Sequence, residues 1–172
     1  MLELWDVLDE NGNKVGRLHE RGKPMKKGDH HLVVHIWIMN SKNEFLLSRR
    51  AQDRGYKWHT TGGAAIAGDD SLTTALKEVH EELGINLVPE NGRLINRSYL
   101  PRFHDEGTFI CDVWLFLQEV DLKDVVLQLD EVCDVMWADK SQITQLIESG
   151  IFVSVPHWYP YLDEIYKLGP SR

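Results

Sequence analysis

The chain has 172 residues, 42% hydrophobic and 27% charged, a profile that suits one globular domain with a sizeable core. Its formal net charge of −8 argues against binding a nucleic acid duplex, which needs Lys and Arg to neutralise phosphates. A small phosphorylated ligand remains compatible with that charge if a metal supplies positive charge locally.

The first ten residues, MLELWDVLDE, are acidic and lack the basic and apolar regions of a signal peptide. The longest apolar-rich run, Leu32 to Met39, falls far short of the roughly 20 residues that a membrane span needs. The expectation is a cytoplasmic protein with no membrane contact. Cys111 and Cys133 then read as reduced, buried thiols, and without a CxxC or a Cys/His cluster they make no zinc site.

In chain order, Leu4 to Leu8 and Lys14 to Leu18 predict a hairpin turning at Asp9-Glu10-Asn11-Gly12. A polar loop follows over 19–29. Leu32 to Met39 predicts a strand buried on both faces, leading through Asn40 to Asn43 into a strand over Phe45 to Arg49. Arg49, Arg50, Arg54 and Lys57 form a basic cluster that reads as a solvated strand end, with a phosphate clamp as the alternative.

Gly62, Gly63 and Gly68 form a glycine-rich loop that leads into a predicted helix. Leu72, Ala75, Leu76, Val79 and Leu83 recur at helical spacing, with Asp70 or Ser71 as N-cap and Gly84 past the end. Glu78, Glu81 and Glu82 fall on one arc beside that apolar stripe. Like charges so spaced cost about 0.2–0.5 kcal/mol per pair, and acids in the last turns oppose the helix dipole. A divalent cation would relieve both costs, and oxygen ligands at this spacing suit Mg²⁺ or Mn²⁺. The same glutamates also suit a solvated acidic face relieved by Lys77 and His80. The glycine loop in front tips the reading towards metal-assisted chemistry on a phosphate ester.

Further on, strands are predicted over Leu94 to Leu100 and Thr108 to Val120, flanking a loop from Pro101 to Gly107. Another follows over Val132 to Trp137, and then a helix capped by Asp139 or Ser141 that ends near Gly150. The tail carries His157, Trp158, Tyr159 and Tyr161 before a short helix through Tyr166; packing onto the sheet is favoured over base stacking for these aromatics. Such an order of strands and helices predicts an α+β fold with a mixed sheet between helices.

Gly63, five residues, Asp69, seven residues, then Lys77-Glu78-Val79-His80-Glu81-Glu82-Leu83-Gly84-Ile85 resembles the signature of the Nudix family. The resemblance implies an α/β/α sandwich over residues 1–172, with a hairpin extension over 1–30 and the core over 31–172. It also implies a metal-dependent hydrolase that cleaves a nucleoside diphosphate linked to another group. Carried over, Glu78, Glu81 and Glu82 would bind Mg²⁺, or Mn²⁺ in its place, with the Gly63 carbonyl as a further ligand. Glu78 is the first choice for the base that activates water, with Glu81 and Lys77 as its catalytic companions. Lys77 stands where the family has Arg, and Asp69 stands where it has Glu; both changes keep charge and alter reach.

Trp5-Asp6, His31 through Ala51 and Glu131 through Trp137 resemble the Nudix branch of type I isopentenyl-diphosphate isomerase. That isomerase has a catalytic Cys and a metal-binding His where Gly62 and Ala64 stand, which ranks it below the hydrolase. His31 and Asp112, which lie at or near further functional positions of the isomerase, read as structural or hydrogen-bonding residues here. A non-catalytic nucleotide-sensing module is the other alternative. Trp58, His59, Phe103, His104 and Trp158 are open candidates for ligand contact, and the substrate could be a nucleoside or an isoprenoid diphosphate. A homodimer is compatible with the sequence.

Overall fold

The computed structural model describes residues 2–101, 107–153 and 162–168. The hairpin comprises β1 (Leu4–Leu8) and β2 (Lys14–Glu20), and it turns where Asp9 N–H donates to the Asn13 carbonyl at 2.9 Å and Gly12 takes a φ of 81°. Two long strands follow: β3 (His30–Met39) and, after a turn, β4 (Phe45–Arg50). Next come β5 (Trp58–His59), β6 (Thr61–Ala64) and the helix α1 (Ser71–Leu83). The chain continues through β7 (Gly92–Pro101), β8 (Thr108–Leu117), β9 (Val132–Ala138), α2 (Lys140–Glu148) and α3 (Leu162–Ile165).

All the strands belong to one mixed sheet centred on β3. One edge of β3 pairs with β8 in parallel along its whole length, from His30↔Thr108 to Met39↔Leu117. Its other edge is shared by β1 at Leu8↔His30, β6 over Val33–Ile36 and β4 at Met39↔Phe45. Three partners on one edge cannot continue as one flat ladder, so the sheet splays there, and β4 carries β5 and β9 away from β6.

Alternation along β3 explains the layers. Val34, Ile36 and Ile38 face one core with Ala75, Val79 and Leu83 of α1, whereas Trp37 and Met39 face another with Ile143 of α2 and Ile165 of α3. Helices therefore cover both faces of the sheet, and the expected α/β/α sandwich is the observed one. Among the described residues, no helix is long and apolar enough to cross a membrane.

The helix ends obey the local chemistry. Asp70 caps α1 by accepting the Thr73 N–H at 2.7 Å, and Gly84 closes it at φ 67° with its N–H on the His80 carbonyl. Ser71 is freed from capping, and its hydroxyl accepts the Trp114 Nε1–H at 2.8 Å. Asp139 and Gln142 form a reciprocal capping box on α2.

One sequence expectation needs correction. Gly62 and Gly63 are strand residues of β6, paired with His35 and Val34, and only Gly68 of the three glycines takes a positive φ, at 100°. Their lack of a side chain serves close approach. A methyl group at Gly62 would strike the Val34 carbonyl, and one at Gly63 would strike the Glu78 carboxylate.

Candidate active site

A cavity of about 450 Å³ opens where the sheet splays. The helix α1 lines it with Glu78, Glu81 and Glu82, and β6 with Gly62, Gly63 and Ala64. Arg50 and Arg54 approach from the end of β4 and the turn after it, Gln128 and Glu131 from the segment before β9, and His35 and His59 from β3 and β5. Glu3 and Arg21, on the hairpin, complete this charged lining.

The three glutamates do share one space, with unequal exposure. Glu81 is exposed, Glu78 half-buried and Glu82 only 8% exposed. Burial raises the Glu78 carboxyl to about 7, and the charges of Glu81, Glu131 and Glu3 add to it against Arg21. Burial raises Glu82 further, to about 8, with Glu78 and Glu131 adding and Arg50 and Arg54 opposing. The Glu82 Oε2 atom is buried without a hydrogen-bond partner among the described residues. An orphaned carboxylate oxygen beside like charges is a costly arrangement that a cation would relieve. Among the described residues, no group of three or more His, Cys, Asp or Glu is placed so that it could hold a metal ion as it stands. The three glutamates nonetheless line one cavity, and their hard oxygen donors suit Mg²⁺ or Mn²⁺.

Lys77 is set apart from this group. One position back along the helix turns it by about 100°, and its Nζ bridges both Asp69 carboxylate oxygens at 2.8 and 2.7 Å. The two departures from the signature therefore meet each other, bracing the loop before α1.

The basic cluster divides. Arg49 stacks on Tyr56 at 3.5 Å from the ring centroid and lies over Trp58. Arg54 pairs with Glu131 at 2.6 Å and donates to the Asp130 carbonyl. Arg50 lines the cavity beside it, its own carbonyl accepting the Cys133 thiol at 3.3 Å. Lys57 is not among the cavity-lining residues. Cys133 is only partly buried, contrary to the sequence expectation; Cys111 is fully buried, and burial pushes its thiol to about 12.

The remaining candidates separate by burial. Trp58 belongs to the core, whereas His59 reaches the cavity, with Nδ1 2.6 Å from the Thr60 carbonyl and Nε2 3.3 Å from Ser48 Oγ. Burial lowers both His59 and His35 to about 4, so both imidazoles are neutral near pH 7. His31 stacks on Trp5 at 4.1 Å, and the buried Asp112 accepts both arms of Arg97 at 2.6 and 2.7 Å. Both fit structural roles. Phe103, His104, His157, Trp158, Tyr159 and Tyr161 lie outside the described residues. Glu3, Arg21, His35 and Gln128 carry no local sequence signal, since only the topology brings them to the cavity; Glu131 could have been found as the acid opening the isomerase-like segment.

Comparison with known proteins identifies the family and the fold. The family model for the NUDIX domain matches residues 29–155. The chain is similar to an uncharacterized Nudix hydrolase of Listeria monocytogenes, 34% identical over 171 residues that cover 97% of this chain and 95% of the relative. It is more distantly similar to an isopentenyl-diphosphate delta-isomerase of Cutibacterium acnes, 24% identical over 96% of this chain and 86% of that one. A crystal structure from Deinococcus radiodurans shares the fold at a TM-score of 0.69, with 17% identity over 96% of this chain and 98% of that chain. With a domain match over most of its length and a full-length relative above 30% identity, the chain belongs to the Nudix hydrolase family.

Proposed function

We propose that this protein is a Mg²⁺-dependent hydrolase of diphosphate linkages in small molecules, a nucleoside diphosphate joined to another group being the first choice. The observation that carries this reading is the cavity in which Glu78, Glu81 and Glu82 meet, with the Glu82 Oε2 atom buried and unpartnered. Glu78, Glu81, Glu82 and the Gly63 carbonyl would hold the metal, which when bound supplies Lewis-acid polarisation of a phosphoryl oxygen and lowers the pKa of a coordinated water.

The chain's own groups do the rest. Glu78 lines the cavity beside the other proposed metal donors and would take the proton from the attacking water, with Glu81 beside it. Arg50 and Arg54 offer planar donors to phosphate oxygens, Arg54 by exchanging its partner Glu131 for substrate. Lys77 acts at one remove, by fixing Asp69 and the loop that feeds β6 into α1.

The isomerase reading fits less well, because Gly62 and Ala64 bring neither thiol nor imidazole to the cavity. The buried Cys111, whose thiol is pushed to about 12 and whose Sγ is 3.5 Å from His35 Nδ1, does not replace them.

The test is incubation with Mg²⁺ and a panel of nucleoside diphosphates linked to other groups and of isoprenoid diphosphates, read by chromatography of the phosphomonoester products released, for the wild type, Glu78→Gln and Glu82→Gln. Release that needs Mg²⁺ and falls at least 100-fold in both variants is expected. Full activity in either variant would sink the site assignment; tight binding without release from any compound would favour a nucleotide sensor.

A further inference from the structure

We infer that the N-terminal hairpin is a wall of the catalytic cavity and that Arg21 positions the substrate's diphosphate from that wall. This rests on the hydrolase reading above and adds a residue that lies before the 29–155 span of the family match.

The hairpin is fastened to the site. The Leu4 carbonyl accepts the Ala67 N–H at 2.7 Å, and Asp6 Oδ2 accepts the Gly68 N–H at 2.8 Å, both in the loop that delivers α1. Trp5 lies flat on His31, 8° from parallel, and its Nε1–H donates to Glu3 Oε1 at 3.0 Å. Glu3 in turn receives Arg21 twice, through the backbone N–H at 3.0 Å on its carbonyl and through Nη1 at 2.7 Å on Oε2. The relay from Trp5 to Glu3 to Arg21 therefore holds the guanidinium at the cavity from a packed aromatic stack.

Such a guanidinium is prepared for an anion. The Glu3 side chain engages Nη1, one nitrogen of a fork with five N–H donors, and the Arg21 side chain stays 58% exposed. An ion pair so exposed contributes little to stability. Its reach into the cavity is where it matters: Arg21 lines the space from the hairpin end, while Arg50 and Arg54 line it from the end of β4 and the turn after it. Guanidinium groups thus enter the acidic cavity from two separate parts of the chain. A diphosphate held there meets donors from both, so the preferred ligands carry negative charge on both phosphorus atoms.

The experiment titrates methylenediphosphonate, a P–C–P probe that cannot be hydrolysed, into the full chain with Mg²⁺ by calorimetry. Arg17, on β2 a few residues before Arg21 but paired with Asp29 at 2.7 Å and absent from the cavity lining, supplies the control. Arg21→Ala should weaken binding at least tenfold with an unchanged melting temperature, Arg21→Lys should recover part of it, and Arg17→Ala should match the wild type. Wild-type affinity in Arg21→Ala, or an equal loss in Arg17→Ala, overturns the inference. If the wild type neither binds the probe nor hydrolyses any compound of the substrate panel, the hydrolase reading falls and takes this one with it. If the wild type does both and Arg21→Ala is indistinguishable from it, the hairpin inference alone is refuted.

Discussion

Replacing Glu82 with Gln should stabilise the metal-free protein at alkaline pH while abolishing its stabilisation by magnesium. The Glu82 carboxyl is raised from 4.5 to about 8, first by burial and then by Glu78 and Glu131. Between those values the folded chain holds more protons than the unfolded one, so its stability falls as pH rises through the window. Each pH unit costs about 1.4 kcal/mol at most. Relaxation of the side chain towards water in the cavity reduces the sum, and we expect a net loss of about 2–3 kcal/mol between pH 5 and pH 8. For a chain of this size that corresponds to about 5–10 °C in melting temperature. Scanning calorimetry in EDTA should show the wild-type melting temperature dropping across that range, with excess Mg²⁺ restoring it. Glu82→Gln should give a flatter profile, melt higher than the wild type at pH 8 in EDTA, and gain little from Mg²⁺. If the variant instead melts lower in EDTA at pH 8, the carboxylate is a stabilising group and the argument for a cation site at Glu82 collapses.

Gly63→Ala drives a methyl group into the Glu78 carboxylate; the side chain can swing aside, so the variant should fold yet lose at least 100-fold in Mg²⁺-dependent hydrolysis, and retained activity would detach Gly63 from the site. Lys77→Arg keeps the bridge to Asp69 with a planar fork in place of an ammonium; turnover should be equal or higher, and a tenfold drop would contradict the bracing role. Arg97→Met strands the fully buried Asp112 carboxylate. Because Arg97 itself is 42% exposed, the expected cost by chemical denaturation is about 2–4 kcal/mol, below that of a fully buried pair, and a loss under 1 kcal/mol would mean that Asp112 finds other partners.

The sequence carried the helix, its caps and its three acids because these are local: apolar spacing, an Asx cap and a closing glycine act within a few residues. The long strands were legible for the same reason. The short strand β6 was not, since Thr61-Gly62-Gly63-Ala64 has the composition of a loop and becomes a strand only because β3 offers it an edge. Arg50 and Arg54 read as a solvated strand end because nothing local says that Glu131, some 80 positions later, will meet them. Glu3, Arg21 and His35 were missed likewise: a lone charge or imidazole on a strand acquires meaning when the sheet splays around it. Lys77 shows the converse: its place in a motif suggests chemistry, and the geometry pairs it with Asp69.

The parallel pairing of β3 with β8 has a consequence for how the protein comes to be folded. His30 and Thr108 are 78 positions apart, so the central ladder closes only after a long stretch of chain has been searched, whereas α1 and β6 are near neighbours that can associate early. The acidic helix therefore stands ready before Glu131 is delivered to it. The residues proposed to hold magnesium all lie in that early pair, so the ion should speed folding more than it slows unfolding.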